Sequence, residues 1–262
     1  MAEGRWLSPV DGAELALIPA GRFRMGTLAE FAGRQPDELP QHEVTLDAFW
    51  IDLTEVRWTQ YQACVDQGAC PASLLGAPPP GLGDHPVNGV TWGGAESYCQ
   101  WAGRRLPTEA EWEKAARGTD ARRYPWGWTG FAESSDGVRL NLCDVNCEVA
   151  YRDGSVDDGY AETAPVGSYP AGASPYGLLD MAGNVWEWTA DWYDSRAYRG
   201  QERNNPTGPE TGRVKVIRGG SWLETSWQGQ LLTSRATNRA WMAPDRGSVD
   251  LGFRCALSAT GD

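Results

Sequence analysis

Histidine is scarce in this sequence: His42 and His85 are the only two among 262 residues. His42 follows a Pro-Gln turn and His85 precedes a proline at a predicted strand start, so both are interpreted as structural. Ser221 therefore has no assignable histidine base, and nucleophilic catalysis through it is not supported. Glycine-rich phosphate loops are missing too, because no such loop precedes a predicted helix, which disfavours nucleotide-binding and kinase functions.

Long apolar runs and positive charge are also lacking. No run approaches the ~20 apolar residues that a membrane span needs. The N-terminal residues MAEGRWLSPVDG lack the charged and apolar regions of a leader, so we expect a cytoplasmic protein, or an exported one whose leader has been removed. Lys and Arg number 23 against 35 Asp and Glu, a net charge of −12. Such a surface repels phosphate backbones, and we expect no nucleic-acid partner.

Linkers are absent, since no Ser/Gly/Pro-rich stretch or charge block divides the chain. We predict a single domain over residues 1–262, with its core at about 15–257. Gly (32) and Pro (17) are abundant, but 41% of the residues are hydrophobic and 14 are Trp. Large aromatic side chains bury much area at low entropic cost. They can hold together a fold that is poor in regular structure.

Cysteine is missing between Cys147 and Cys255, although the chain has six. Two close pairs, Cys64/Cys70 and Cys143/Cys147, are compatible with local disulfides or with free thiols, depending on the redox compartment. Cys99 and Cys255 lie in apolar motifs and are predicted to be buried thiols. A four-cysteine zinc site is disfavoured because no C-x-x-C spacing occurs.

Local patterns predict three helices and several short strands. Thr91 can cap a helix that Gly103 ends, and Thr108 with Glu111 forms a capping box for a second. A third helix is predicted over Trp58–Val65. The predicted strands are Leu15–Ile18, Arg22–Met25, His42–Ile51, Val214–Gly219 and Gly252–Ala256, with long irregular loops at 71–86 and 119–175.

Motifs along most of the chain resemble one known family. They include Arg218–Trp222 (RGGSW), Gly252–Ala256 (GFRCA), Arg105–Glu113 (RLPTEAEWE) and Met181–Thr189 (MAGNVWEWT). These motifs resemble the formylglycine-generating enzyme (sulfatase-modifying factor) family. The resemblance implies an α+β fold of the C-type-lectin type, with short antiparallel strands, few helices and much irregular structure.

The same resemblance implies a catalytic centre that this sequence lacks. In the family, two cysteines five residues apart lie between the RGGSW and GFR motifs and bind copper. Aligned through Arg235, those positions are Trp227 and Leu232, and neither side chain supplies the soft thiolate that Cu(I) requires. We expect no copper and no formylglycine-generating oxidase activity. Two histidines are likewise too few for the three-histidine iron site of the related sulfoxide synthases.

The resemblance also implies structural calcium. One family site corresponds here to Asn141 with the Leu142 carbonyl, and to Asp158 with the Tyr160 carbonyl. The second corresponds to Gly183, Asn184, Val185 and Glu187. Carboxylate, amide and carbonyl oxygens suit calcium. The alternative is that Asn141 and Asp158 cap turns and that Glu187 hydrogen-bonds buried backbone.

The family's site region predicts an aromatic groove with arginine donors. Its residues here are Trp188, Trp222, Trp227, Leu232, Arg235, Asn238, Arg239 and Trp241. Such a groove can bind a protein, a peptide or a sugar, alone or within a larger complex. In the alternative interpretation, Trp188 and Trp222 are core residues, and Arg235 and Arg254 are buried ions paired with Asp191 or Glu187. We predict an atypical family member that binds a ligand or partner. The competing class is an oxidase with relocated or partner-supplied catalytic groups.

Overall fold

The predicted caps begin two of the helices. In a computed structural model, which describes residues 4–130, 132–200, 202–225 and 231–259, helix α2 spans Trp92–Trp101. The Thr91 hydroxyl accepts a hydrogen bond from the backbone N–H of Gly94 at 3.1 Å. Helix α3 spans Glu109–Arg117 behind the capping box of Thr108 and Glu111. Both predicted starts are confirmed.

The other two helices begin without a threonine cap. Helix α1 spans Trp58–Asp66, close to its predicted bounds. There the Gln60 side chain accepts a hydrogen bond from the N–H of the N-cap residue Arg57 at 2.9 Å, as the third helical residue does in a capping box. Helix α4, Ala197–Gly200, is a single turn that the sequence does not predict.

Twelve strands are described, and they form small sheets. The strands are β1 (Arg5–Leu7), β2 (Glu14–Ile18), β3 (Gly21–Met25), β4 (His42–Leu46), β5 (Phe49–Asp52), β6 (Glu133–Ser134), β7 (Gly137–Val138), β8 (Trp186–Trp192), β9 (Lys215–Arg218), β10 (Ala240–Met242), β11 (Leu251–Gly252) and β12 (Ala256–Ser258). One four-stranded sheet has the order β1-β2-β5-β12 and another has the order β10-β9-β8-β11. The remaining pairs are β3-β4 and β6-β7. All pairings are antiparallel except that of β11 with β8.

Two strand predictions were wrong in their extent. The predicted strand His42–Ile51 is divided into β4 and β5, which belong to different sheets. Between them, the Asp47 N–H donates to the Asn205 side chain at 2.8 Å instead of entering a ladder. The predicted strand Gly252–Ala256 is likewise interrupted: residues 253–255 lie between β11 and β12, and there Arg254 forms a buried ion pair with Glu187 on β8.

Two large apolar clusters form most of the core. One contains Trp112 on α3 with side chains from β3, β4 and β5, and the other contains Tyr98 on α2 with Trp188 on β8. The Trp112 indole and the Trp188 indole are both completely buried. No helix in the described ranges is both long enough and apolar enough to cross a membrane.

All six cysteines are joined in disulfides. The pairs are Cys64–Cys70, Cys99–Cys255 and Cys143–Cys147. The prediction of buried free thiols at Cys99 and Cys255 was therefore wrong. Helix α2 brings Cys99 to a Cα–Cα distance of 5.6 Å from Cys255, within the range that a disulfide requires. This bridge joins positions 156 residues apart and ties α2 to the C-terminal segment.

Candidate functional site

A groove lies beside the edge strand β10. Its cavity has a volume of about 580 Å³, within the range of small-ligand sites. The Trp241 side chain is 55% exposed there, and its ring centroid lies 6.2 Å from that of Tyr193. The lining residues are Gln35, Pro36, Asp37, Trp186, Tyr193, Ser195, Arg196, Arg199, Thr233, Asn238, Arg239, Ala240 and Trp241. We call this cavity the Trp241 groove.

Three of the predicted ligand-binding residues meet in the Trp241 groove: Asn238, Arg239 and Trp241. Arg239 is not a free donor, because its guanidinium pairs with Glu109 at 2.7 and 2.9 Å. It also lies 5.0 Å from the centroid of the Tyr193 ring, and the Tyr193 hydroxyl donates to Asp37 at 2.7 Å. Arg239 therefore fixes the aromatic wall of the groove, while its own charge is balanced internally.

Two other arginines supply the exposed positive charge of the groove. Arg196 and Arg199 are exposed, and neither guanidinium makes a hydrogen bond or ion pair with any residue in the described ranges. Sequence analysis missed both, although arginines three residues apart are a visible signal in a chain with a net charge of −12. Tyr193 was also missed, since nothing in its local sequence marks it as a groove residue.

Three further predicted groove residues, Trp188, Trp222 and Leu232, do not line the groove. Trp188 is completely buried, and its indole N–H donates to the Val90 carbonyl at 2.9 Å. Trp222 is buried against the Cys143–Cys147 disulfide. Both tryptophans are therefore core residues, as the alternative interpretation held. Leu232 is half-buried and packs close to Gly33. Trp227 falls outside the described residues.

The buried arginines have specific carboxylate partners. Arg235 is completely buried and forms a bidentate pair with Glu38, with both distances 2.6 Å. The predicted partners, Asp191 or Glu187, were wrong for Arg235. Arg254 does pair with Glu187, at 2.7 Å through two nitrogens. Arg235 therefore cannot offer its charge to a ligand in the groove.

The cysteines of this chain do not fit the copper site that the family resemblance implies. Because all six cysteines are in disulfides, no thiolate is available and the residues do not fit a dithiolate copper site. Glu224, which the sequence analysis did not single out, is buried six residues after Arg218. Its carboxylate accepts hydrogen bonds from the Thr233 N–H and the Ser234 hydroxyl. Burial raises the pKa of Glu224.

The residues of the first predicted calcium site fit a cation. Asn141 is completely buried beside Tyr169, and within the described ranges neither its amide oxygen nor its amide nitrogen makes a hydrogen bond of normal geometry. The Asp158 carboxylate lies beside it and accepts the N–H groups of Leu142 (2.8 Å) and Tyr160 (2.9 Å). Burial raises the pKa of Asp158 to about 7. A hard cation bound by these oxygens would satisfy the Asn141 amide oxygen and favour the ionised carboxylate.

At the second calcium site, two of the predicted ligands have other partners. The Asn184 amide oxygen accepts the Ala164 N–H at 3.0 Å, and Glu187 is bound to Arg254 and to the Trp112 indole N–H. The sequence pattern does not indicate Glu55, which is buried beside Asp180 and has no other hydrogen-bond partner for its carboxylate within the described ranges. Burial and the neighbouring Asp180 raise the pKa of Glu55 well above its usual range.

No three His, Cys, Asp or Glu side chains in the described part of the chain are grouped to hold a metal by themselves. Any calcium here therefore needs amide and backbone carbonyl ligands as well. Gly183 and Val185 can supply only backbone oxygens. The Gly183 position is tight, because a Cβ there would lie 2.3 Å from the Asn141 carbonyl oxygen.

Both histidines are held within the fold. His85 hydrogen-bonds to the Thr163 hydroxyl at 3.0 Å, and burial lowers its pKa. The His42 ring nitrogen lies 2.9 Å from the Pro40 carbonyl oxygen.

A second cavity, of about 560 Å³, lies near Trp92 and Arg105, and none of the predicted site residues lines it.

Comparison with known proteins identifies the family. Residues 8–259 match the model of the sulfatase-modifying factor enzyme 1-like domain. The formylglycine-generating enzyme of Streptomyces coelicolor is 40% identical over 80% of this chain and 61% of its own length. The inactive C-alpha-formylglycine-generating enzyme 2 of Bos taurus is 31% identical over 99% of this chain and 93% of its own length.

Two further matches show how much of a longer relative this chain spans and which solved structure shares its fold. The serine/threonine-protein kinase pkn1 of Chlamydia pneumoniae is 37% identical over 93% of this chain, which spans only 38% of that kinase's length. The solved structure of PvdO from Pseudomonas aeruginosa has a TM-score of 0.75 and 30% identity, with 97% of each chain covered. The expected α+β fold of the formylglycine-generating-enzyme type is confirmed. This chain belongs to the sulfatase-modifying factor enzyme 1-like domain family.

Proposed function

We propose that this protein is a binding member of its family and that the Trp241 groove receives a ligand or partner. The observation that carries the proposal is the exposure of Trp241 within a cavity of about 580 Å³. Tryptophan is enriched among the residues that contribute most of the binding free energy at binding sites. The Tyr193 ring lies 6.2 Å from the indole, and the Arg239 guanidinium, which pairs with Glu109, lies 5.0 Å from the Tyr193 ring. The groove therefore has one fixed aromatic wall.

The cysteine chemistry supports binding over oxidation. Every cysteine of the chain is committed to a disulfide, whereas the family's copper chemistry requires two thiolates. A relative named as inactive shares 31% identity over nearly the whole chain. The competing proposal, an enzyme with relocated groups, is favoured by one observation, the buried Glu224 with its raised pKa. Conversion of the cysteine of a C-x-P-x-R peptide to formylglycine, detected by mass spectrometry, would replace our proposal with that one.

The proposal is tested with two probe sets: a random heptapeptide phage library and a glycan array. We expect the wild-type protein to select ligands that Trp241→Ala does not bind. Trp128→Ala is the matched control, because Trp128 is similarly exposed, at 60%, and does not line the groove. If neither set yields a ligand that depends on Trp241, the groove is not the binding site.

We also propose that calcium occupies the site of Asn141, Leu142, Asp158 and Tyr160. The buried amide of Asn141, which makes no hydrogen bond of normal geometry within the described ranges, supports this. At the second site, Gly183 and Val185 would offer carbonyl oxygens, and Glu55 is a better supported carboxylate ligand than the paired Glu187. Ions at these positions would supply structural cross-links between irregular segments.

A further inference from the structure

The strand that carries Trp241 has one edge, its free edge, that no other strand in the described part of the chain covers. On one side β10 pairs antiparallel with β9, matching Ala240 to Ile217 and Met242 to Lys215. On the other side no strand among the described residues pairs with it. None of its three residues makes a backbone hydrogen bond outside that ladder within the described ranges. Such an edge presents unpaired N–H and C=O groups to any extended chain that approaches.

The side chains of β10 alternate in a way that suits strand addition. Trp241 points into the groove, while Ala240 and Met242 pack against the apolar cluster around Tyr98 and Trp188. Because side chains of a strand alternate between faces, an added strand would place every second side chain on the face that carries the Trp241 indole, and the nearest of them could contact it. The backbone edge and the aromatic pocket are therefore accessible to the same extended ligand.

The charge of the groove differs in sign from that of the whole chain. Arg196 and Arg199 are its cations without an ion pair in the described ranges, since Arg239 is neutralised by Glu109. One lining carboxylate, Asp37, opposes them, and the Asp194 carboxylate, which accepts the Arg196 N–H at 2.7 Å, lies beside the groove. In a chain with a net charge of −12, this locally basic surface favours an acidic ligand over a basic one. Carboxylates also match the fork of guanidinium donors.

We propose that the ligand of the Trp241 groove is an extended acidic peptide segment that adds as a strand to the free edge of β10. Its backbone would hydrogen-bond to β10, an aromatic or β-branched side chain would contact Trp241, and an Asp or Glu would pair with Arg196 or Arg199. This mode is recurrent in peptide recognition. A sugar has no regular series of amide donors and acceptors to match the strand edge. The inference rests on the proposed function of the groove and narrows it to one ligand class.

The test uses heptapeptides selected from the random phage library on the wild-type protein. We expect the enriched sequences to combine an excess of Asp and Glu with aromatic or β-branched residues. One enriched peptide is then synthesised, and its Kd is measured at low and high salt. We expect weaker binding at high salt, because exposed charge pairs are screened.

Two sets of variants separate charge recognition from strand addition. The double variant Arg196→Glu/Arg199→Glu should weaken binding by about tenfold or more, whereas Arg24→Glu, an exposed arginine on β3 outside the groove, should change Kd less than about twofold. N-methylation of alternate peptide nitrogens should abolish binding in one of the two registers and leave it nearly unchanged in the other.

The possible outcomes distinguish this inference from the proposed function. If the selected peptides depend on Trp241 but are neutral or basic, or tolerate N-methylation at every position, strand addition of an acidic peptide is wrong and the groove remains a binding site. If the glycan array alone yields Trp241-dependent ligands, the peptide inference fails in the same way. If no ligand depends on Trp241, both proposals fail.

Discussion

At the scale of single residues, the fold buries several charged side chains, and only some of them have an oppositely charged partner. Arg235, Arg239 and Arg254 each have a carboxylate within 2.7 Å. Among the described residues, Asp191 has no such cation: one of its oxygens accepts the Glu109 N–H at 2.7 Å and the other makes no hydrogen bond to them. Burial, and then the neighbouring charge of Glu109, raise the pKa of Asp191 to about 8. Its protonation should therefore be visible in the stability of the protein.

We expect Asp191 to make stability fall with rising pH. Its pKa is about 8 in the folded protein and about 3.9 in unfolded chains, so the folded state holds the proton more tightly. This contribution is complete below about pH 4 and is lost as the pH rises towards 8. Asp191→Asn keeps an acceptor for the Glu109 N–H and removes the ionisation.

The variant should be more stable than wild type at pH 8, by about 1–3 kcal/mol, and the difference should shrink at pH 5. Urea denaturation at the two pH values measures this. Asp136→Asn, an exposed aspartate, serves as the control and should show no pH-dependent difference. Equal effects of Asp191→Asn at both pH values would mean that Asp191 is ionised in the folded protein.

At the scale of elements, local sequence predicts helices better than strands. The capping residues Thr91 and Thr108 lie next to the helices they begin, so a short window contains the whole signal. Strand ends depend on distant residues: Asn205 holds the break after β4. The Arg235–Glu38 pair joins residues 197 apart, and no periodic pattern can reveal such a partner.

The disulfides also join residues at very different sequence separations, and these separations predict unequal effects on the free energy of unfolding. Removing Cys99–Cys255 frees a closed loop of 156 residues, whereas Cys64–Cys70 closes only six. From loop-closure entropy we expect a loss of roughly 5 kcal/mol for Cys99→Ser/Cys255→Ser and roughly 2 kcal/mol for Cys64→Ser/Cys70→Ser. Chemical denaturation of the two double variants measures this order, and a larger loss for the short loop would contradict it.

At the scale of the whole molecule, family motifs predicted the fold class, but only part of the lining of the Trp241 groove. Asn238, Arg239 and Trp241 were predicted for the groove and do line it. Trp188 has the same residue type as Trp241, yet it is buried. Trp188 lies in the same row as Ile217 and Ala240, on the face of the sheet that packs against the core, whereas Trp241 lies on the other face of the edge strand. Register and strand order are decided by long-range pairing rather than by the motif itself.

Calcium is expected to stabilise the irregular segments of the whole molecule. An ion that binds only the folded state adds stability by mass action, about 2.7 kcal/mol at a concentration 100 times its Kd. Adding a chelator should then lower the Tm by about 5 °C or more. Asp158→Ala should remove most of this dependence, and Asp157→Ala, its exposed neighbour, should retain it. A Tm that does not respond to the chelator in the wild-type protein would exclude structural calcium.

The central claim is that Trp241 is a binding anchor and not part of the packing. Its most direct test measures, for Trp241→Ala, both the free energy of unfolding and the Kd for a ligand selected on the wild-type protein. We predict a change in unfolding free energy within about 0.5 kcal/mol, with a loss of about 2 kcal/mol or more in binding. Trp188→Ala, at a buried indole, should instead lose about 3–5 kcal/mol of folding stability. Unchanged binding by Trp241→Ala, or a stability loss as large as that of Trp188→Ala, would contradict the account.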